Sequence, residues 1–349
     1  VENKAGRAKP VLTESASIEM RFVQLARNAM GTRFELVLPA RETPALRAAA
    51  EAALAEIDRI EAELSVYCPT SQVAHLNRLA AQQSVKVTHE LFCLLQRARD
   101  IWLNTQGAFD ITVGPVLHCW GITNGAGRVP TQHELTAARA LVGMDKIELS
   151  ETDRTVRFKC AGVQINLGAI GKGFAVDAAI AMLRDAGVRN ALVHAGTSTV
   201  FALGKSPDAN PWKVAILAPP ENFGAAAPAA CSLTAGERHD TRPAICVVEL
   251  ADAALSVSAV WGRWLQTQNG AYGHIVDPRT AMPVRDTLLG AVVRPNATEA
   301  DALSTALVVL GVHGLDTLAY AYPGTRMLAI TSSARDKKFS VHTLGLNCK

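Results

Sequence analysis

Long apolar runs, blocks of one charge and paired cysteine motifs are all missing from this chain, and each absence removes a class of protein. No run of about 18 apolar residues occurs, which excludes a membrane-spanning helix. The formal charge is +3, from 35 basic and 32 acidic residues spread without blocks, so neither a nucleic-acid surface nor a polybasic membrane anchor is indicated. Cysteines stand at 68, 93, 119, 160, 231, 246 and 348, with no C-x-x-C and no cysteine–histidine spacing of a zinc site. They read as mostly buried small apolar residues. The odd count leaves at least one unpaired in a monomer, and Cys348 is expected to be the most exposed. Compartment is not settled by them. The start, Val1-Glu-Asn-Lys-Ala-Gly-Arg, lacks a signal peptide's apolar core, while an opening Val suggests a processed or trimmed N-terminus.

The chain does have 349 residues, 49% of them hydrophobic, enough for a large core in one domain or two intertwined lobes. Its most distinctive stretch is Asn166-Leu-Gly-Ala-Ile-Gly-Lys-Gly-Phe174. Residues 162–165 before it alternate as a strand does, and residues 175–186 after it have helical spacing that stops at Gly187. Strand, glycine turn and helix N-terminus present backbone N–H groups and a positive dipole end, to which Lys172 adds a full charge, a combination suited to phosphate. A P-loop is excluded by Asn166 and Gly173, and the dinucleotide fingerprint by the lack of a G-x-G start. The plainer alternative is a tight turn with a solvated lysine.

Residues 1–20 are polar and aperiodic and are expected to form a flexible tail, followed by a single domain over 21–349. The alternation Phe34, Leu36, Leu38 predicts a half-buried strand. Thr43-Pro44 opens a helix with the stripe Leu46, Ala50, Leu54, Ile57, Ile60, Leu64. A turn-rich connection at 65–71 follows, then a helix at about 90–104, a partly buried segment at 107–121 placed beside a site, and a short helix at 131–141. Strands are expected at 145–149, 155–159, 191–194 and 199–203, with 212–217 continuing the sheet. Residues 218–242 read as a loop insertion. Further strands at 244–249, 254–258, 288–293, 326–331 and 338–343 enclose helices at 298–310 and 312–321. The irregular alternation with hairpins predicts an α+β fold.

Asp301 and Thr305 lie four apart on the 298–310 helix, so their oxygens share a face that a divalent cation could bridge. Thr298-Glu-Ala-Asp301 also matches a capping pattern that needs no ligand. His274 and Asp277 read either as a base with its neighbour or as a strand-end histidine before an Asp-Pro turn. Tyr67 and Phe109 could sandwich a ring or belong to the core.

Taken in order, Met30-Gly-Thr32, Leu64-Ser-Val-Tyr67 with Ser71 and Asn77, Gly107-Ala-Phe-Asp110 with Gly114-Pro115 and Trp120-Gly121, the glycine stretch, His274-Ile-Val-Asp-Pro-Arg-Thr280 and Ala300-Asp-Ala-Leu-Ser-Thr305 resemble the ApbE family of FAD:protein FMN transferases. The resemblance covers about 30–330. It implies an α+β fold that binds FAD as substrate, with Mg²⁺ held by Asp301, Thr305 and the Ala169 carbonyl. Met30, Tyr67, Ala108, Phe109, Asp110, Asn166, Lys172 and Ile275 fall on its FAD-contact positions. It further implies transfer of FMN to a Ser or Thr hydroxyl of a target flavoprotein with release of AMP, His274 taking the hydroxyl proton and Lys172 facing the pyrophosphate. A periplasmic location is expected, with a cytoplasmic one as the alternative; no lipobox cysteine stands near the start.

Four positions depart from the family pattern: Asn166 replaces an aspartate, Gly196-Thr197-Ser198 replaces Gly-Gly-acid, Ser258-Ala259 replaces Ser-Gly, and Thr280-Ala281 replaces Thr-Gly. The competing readings are an FAD pyrophosphatase yielding FMN and AMP, and a non-catalytic flavin-binding or maturation paralogue.

Overall fold

The computed structural model describes residues 22–39, 43–123, 127–220, 242–261, 264–267, 270–332 and 339–348. The expected tail and nearly all of the expected insertion lie outside the described residues. In chain order the elements are β1 (Phe22–Ala29), β2 (Thr32–Pro39), α1 (Pro44–Leu64), α2 (Gln72–Leu79), β3 (Val85–Lys86), α3 (His89–Asn104), α4 (Gly114–Cys119) and α5 (Gln132–Arg139). Next come β4 (Ile147–Ser150), β5 (Thr155–Phe158), α6 (Gly171–Asp185), β6 (Ala191–Ala195), β7 (Thr199–Leu203), β8 (Trp212–Leu217), β9 (Ala244–Leu250) and β10 (Ala253–Ala259). The chain closes through β11 (Trp264–Thr267), β12 (Gly270–Gly273), β13 (Val276–Asp277), β14 (Met282–Pro283), β15 (Thr287–Arg294), α7 (Ala297–Leu310), α8 (His313–Ala321), β16 (Arg326–Ser332) and β17 (Phe339–Leu344).

Local chemistry sets the helix starts. Thr43, Thr88 and Thr131 each cap with the side-chain oxygen, Thr131 in a reciprocal capping box with Glu134. The helical stripe foreseen in α1 is buried at Ala50, Leu54, Ile57, Ile60 and Leu64. Eight strands form the main sheet in the order β1-β2-β6-β7-β10-β15-β16-β17, every neighbouring pair antiparallel. One face packs against α1, α6 and α7; the other is covered by the β8–β9 hairpin. The period of two sorts side chains between these faces. On β7 and β10, Phe201 and Ala254 join the helix-side core, while Val200, Ala202, Leu255 and Val257 join the hairpin-side core.

The α+β architecture is as expected, but several local expectations are corrected. Residues 162–165 make no strand beyond a single bridge between Gln164 and Val113. β8 does not continue the main sheet; it pairs only with β9. The 65–71 turn leads into α2, capped by Ser71, and the 107–121 segment contains α4. Cys246 and Cys348 form a disulfide, so Cys348 is not the free, most exposed thiol; Cys93 and Cys160 are exposed and Cys119 is buried. Cys231 lies outside the described residues.

Candidate active site

The glycine stretch divides differently from its expected form. Residues 166–170 make the turn, and α6 already begins at Gly171, which puts Lys172 and Gly173 in its first helical turn. Asn77 pins the entry, accepting from the Ile165 N–H at 2.7 Å and donating to the Ile165 carbonyl at 2.9 Å. The Asn166 N–H donates to the Ile111 carbonyl at 2.7 Å. Asn166 Oδ1 accepts from the Gly168 N–H at 2.9 Å, an Asx turn that the usual aspartate would also make, here without its charge. The Gly171 N–H is likewise committed, to Leu167. Lys172 Nζ folds back to donate to the Gly168 carbonyl at 3.2 Å. With Gly168, Gly171 and Gly173 N–H groups already engaged, positive charge for a phosphate falls chiefly to Lys172 and the helix dipole.

Gly173 is required by a neighbour. A Cβ there would sit 2.2 Å from the Ala297 carbonyl oxygen and 2.8 Å from Asp301 Cβ. The absent side chain lets α6 meet the start of α7, and the Gly173 N–H donates to Asp301 Oδ2 at 3.0 Å. One turn on, Asp177 accepts from the N–H groups of Ala297 (2.7 Å) and Thr298 (2.9 Å) and from the Thr298 hydroxyl (2.5 Å). Burial pushes the Asp177 carboxyl above its ordinary range, opposed by those donors. The α7 cap is Asn296, accepting from the Glu299 N–H, and not Thr298. Asp301 is therefore not the acid of a capping box and its carboxylate serves elsewhere.

That carboxylate is 2% exposed. Its Oδ1 is approached by the hydroxyls of Thr199 and Ser256, each at 3.4 Å, and by Lys172 Nζ at 3.7 Å. Thr305 lies on the same face of α7, its hydroxyl 3.4 Å from the Asp301 carbonyl and 3.0 Å from Ser258 Oγ. Ser304 and Ser258 are 2.8 Å apart. Among the described residues no group of three or more His, Cys, Asp or Glu side chains could hold a metal. The oxygens here are different in kind: one carboxylate, several hydroxyls and loop carbonyls. Such a hard donor set suits a hard divalent cation such as Mg²⁺. Of the three ligands that the resemblance implies, the Asp301 carboxylate and the Thr305 hydroxyl are on this face of α7.

His274 follows β12, half-buried, and Ile275 beside it is buried. Just before them, Gly273 is pressed against the Val260 carbonyl, which sets the start of this segment beside the end of β10. Asp277 accepts from the Arg279 N–H (2.9 Å), Nε (2.9 Å) and Nη2 (2.8 Å), so it serves the turn. Trp120 Nε1 donates to the Ala281 carbonyl at 2.8 Å, and Arg279 lies along Gly107, which fastens the 107–121 segment to the histidine strand. Ala281 itself has φ +60°, the conformation for which the family pattern uses glycine.

The remaining expected contacts divide. Met30 sits at φ +50° in the β1–β2 turn, its N–H donating to Glu61 at 2.7 Å. Tyr67 is 65% exposed, but Phe109 belongs to the main core. Of the two alternatives for these aromatics, Phe109 takes the core one, and Tyr67 stays at the surface. Ala108 and Asp110 are buried. Asp110 Oδ1 accepts from the Thr112 N–H at 2.7 Å and hydroxyl at 2.6 Å, yet desolvation dominates and pushes its carboxyl up to about 6. Sequence reasoning missed Asp177, Thr199 and Ser256. Only the S-V-S alternation in β10 hinted at the last of these.

The model of the ApbE family matches residues 30–328. The chain belongs to the ApbE family. Among ApbE relatives, the FAD:protein FMN transferase of Rhodobacter capsulatus is 34% identical over 254 residues, 72% of this chain but only 45% of that protein, so the chain spans under half of that relative's length. The Haemophilus influenzae protein of the same name is 27% identical over 303 residues, covering 84% of this chain and 82% of its own. The ApbE crystal structure from Thermotoga maritima matches with a TM-score of 0.76 at 27% identity, covering 92% of this chain and 96% of its own. The apo flavinyl transferase ApbE of Pseudomonas stutzeri matches with a TM-score of 0.77 at 25% identity, over 93% and 95%. These matches agree with the α+β fold.

Proposed function

We propose that this chain is an FAD:protein FMN transferase that uses a divalent cation, Mg²⁺ by its donor set, to move FMN from FAD to a Ser or Thr hydroxyl of a target flavoprotein. The observation that carries the reading is the buried Asp301 carboxylate, clamped through Oδ2 by the Gly173 N–H beside Lys172 at the start of α6. A chain that only needed a core would not bury a carboxylate against a lysine, since desolvating both groups is expensive.

The acceptor hydroxyl oxygen forms a bond to the FMN phosphorus as the bond from that phosphorus to the AMP oxygen breaks. AMP leaves with the electron pair, and the hydroxyl proton passes to His274. Lys172 neutralises pyrophosphate charge, the Asx turn at Asn166 fixes the loop that carries it, and Asp301 with Thr305 presents oxygens to the cation. When bound, the cation supplies Lewis-acid stabilisation of the developing phosphate charge.

The test is incubation with FAD and Mg²⁺, with and without a flavoprotein acceptor, following AMP release and acceptor mass. We expect an FMN-sized mass gain, with AMP release falling by more than about 100-fold in Asp301→Ala. AMP without acceptor gain would identify a pyrophosphatase, and FAD bound but intact would leave a flavin-binding paralogue. The Cys246–Cys348 disulfide supports an oxidising compartment, and we propose the periplasm. Recovery of the native protein in the cytoplasmic fraction would overturn that location.

A further inference from the structure

We propose that Thr199 and Ser256 are positioning residues for Asp301 and set the affinity of the site for its divalent cation, an inference that rests on the reading of the site given above. The two are direct cross-strand partners on β7 and β10, with their hydroxyl oxygens 3.0 Å apart. Both are buried, at 2% and 0% exposure, on the helix side of a sheet whose opposite face at the same level carries Val200 and Leu255. Valine would suit either strand position better, and a buried hydroxyl left without a partner is destabilising. Their presence therefore asks for acceptors: the Ser198 carbonyl lies 3.1 Å from Ser256, and the Asp301 carboxylate is the acceptor for the hydroxyl proton that remains.

The two oxygens of Asp301 are held unequally. Oδ2 has a 3.0 Å bond from the Gly173 backbone, whereas every approach to Oδ1 is 3.4 Å or longer. Oδ2 is the pivot and Oδ1 keeps lone-pair capacity for a cation. Ser256 also contacts the Ser198 carbonyl at 3.1 Å and Ser304 Oγ at 3.3 Å, so its hydroxyl is fixed from the strand side, and Thr199 is fixed by Ser256. Together they oppose rotation of the carboxylate about its pivot toward Lys172. Without them Oδ1 swings to the lysine, and a cation then has to break that ion pair before it can bind.

The experiment titrates Mn²⁺ into the full chain with FAD present and acceptor absent, reading free Mn²⁺ by electron paramagnetic resonance. The wild type is compared with Thr199→Val, Ser256→Ala, the double variant, Thr199→Ser and Asp301→Ala, with melting temperatures alongside. The double variant is expected to bind Mn²⁺ about 10–100-fold more weakly, as losses of groups that orient metal ligands do. Thr199→Ser, which keeps the hydroxyl, should stay within about threefold of wild type. The near-isosteric Thr199→Val keeps the test open if the double variant does not fold. Binding that is lost in Asp301→Ala but unchanged in the hydroxyl variants overturns this inference and leaves the site standing. Wild-type binding that is absent, or indifferent to Asp301, overturns both.

Discussion

The two faces of the main sheet are built from the same strands and differ at one place, where the helix side, apolar at Phe201, Leu203 and Ala254, turns polar. Under the β8–β9 hairpin, β7 and β10 present Val200, Ala202, Leu255 and Val257, and the filling is apolar throughout, with Trp212, Ile216 and Val248 above it. Under α6 and α7 the alternate residues present Thr199, Ser256 and Ser258, which meet Asp301, Ser304 and Thr305. Shifting one residue along a strand is enough to pass from one character to the other. Burying polarity on one face alone shows where stability has been given up for chemistry, because the hairpin face demonstrates that an apolar solution was available to the same backbone.

The largest test of that contrast is Gly173→Ala. The added methyl would meet the Ala297 carbonyl at 2.2 Å, so α6 and α7 must part, and the Asp301 clamp goes with them. We expect a loss of about 3 kcal/mol in denaturant unfolding together with loss of FAD turnover. Leu255→Ala, on the other face, should cost about 2–4 kcal/mol through the cavity it leaves but spare Mn²⁺ affinity. If Leu255→Ala weakens Mn²⁺ binding as Ser256→Ala does, the two faces are not independent.

Asp110 sharpens the comparison through pH. Its folded carboxyl titrates at about 6, against an unfolded reference near ~3.9. The folded state holds the proton more tightly, so this group's contribution favours folding below pH ~4 and is lost as pH rises through about 6. Asp177, also raised, adds a slope of the same sign. Asp110→Asn keeps an acceptor for Thr112 and should gain up to about 2 kcal/mol at pH 7 relative to wild type, the difference vanishing near pH ~4. Unfolding measured at both pH values would refute this if the gain is the same at each. The smallest effect is expected at Ala281→Gly. Relief of the left-handed conformation, about 1–2 kcal/mol, is offset by a lost buried methyl and a freer unfolded chain, so the net change should stay within about 1 kcal/mol.

Much of this was legible in the chain. The stripes of α1 and α3 and the shared face of Asp301 and Thr305 follow from a period of 3.6 alone. What escaped depends on distant partners. The capping pattern at Thr298 is locally sound, but Asp177, 121 residues earlier, occupies the Thr298 hydroxyl and leaves the cap to Asn296. Phe109 looks like a ligand platform beside Asp110 until its ring is found in the core. The strand expected at 162–165 has the right alternation and no neighbour to pair with beyond one bridge. Thr199 and Ser256 meet only because β7 and β10 are adjacent, an ordering that no local pattern encodes.

The Cys246–Cys348 bond, 102 residues apart in sequence, closes a covalent ring. Ser256, His274, Asp301 and Thr305 lie inside that ring; Asp110, Asn166, Lys172 and Thr199 lie outside it. In the oxidised unfolded chain the ring members stay tethered, and closing a loop of that size removes about 4–5 kcal/mol of unfolded-chain entropy. His274, Asp301 and Thr305 therefore search for one another within a leash, while Lys172 and the loop that carries it have to be delivered from an unconstrained stretch of chain.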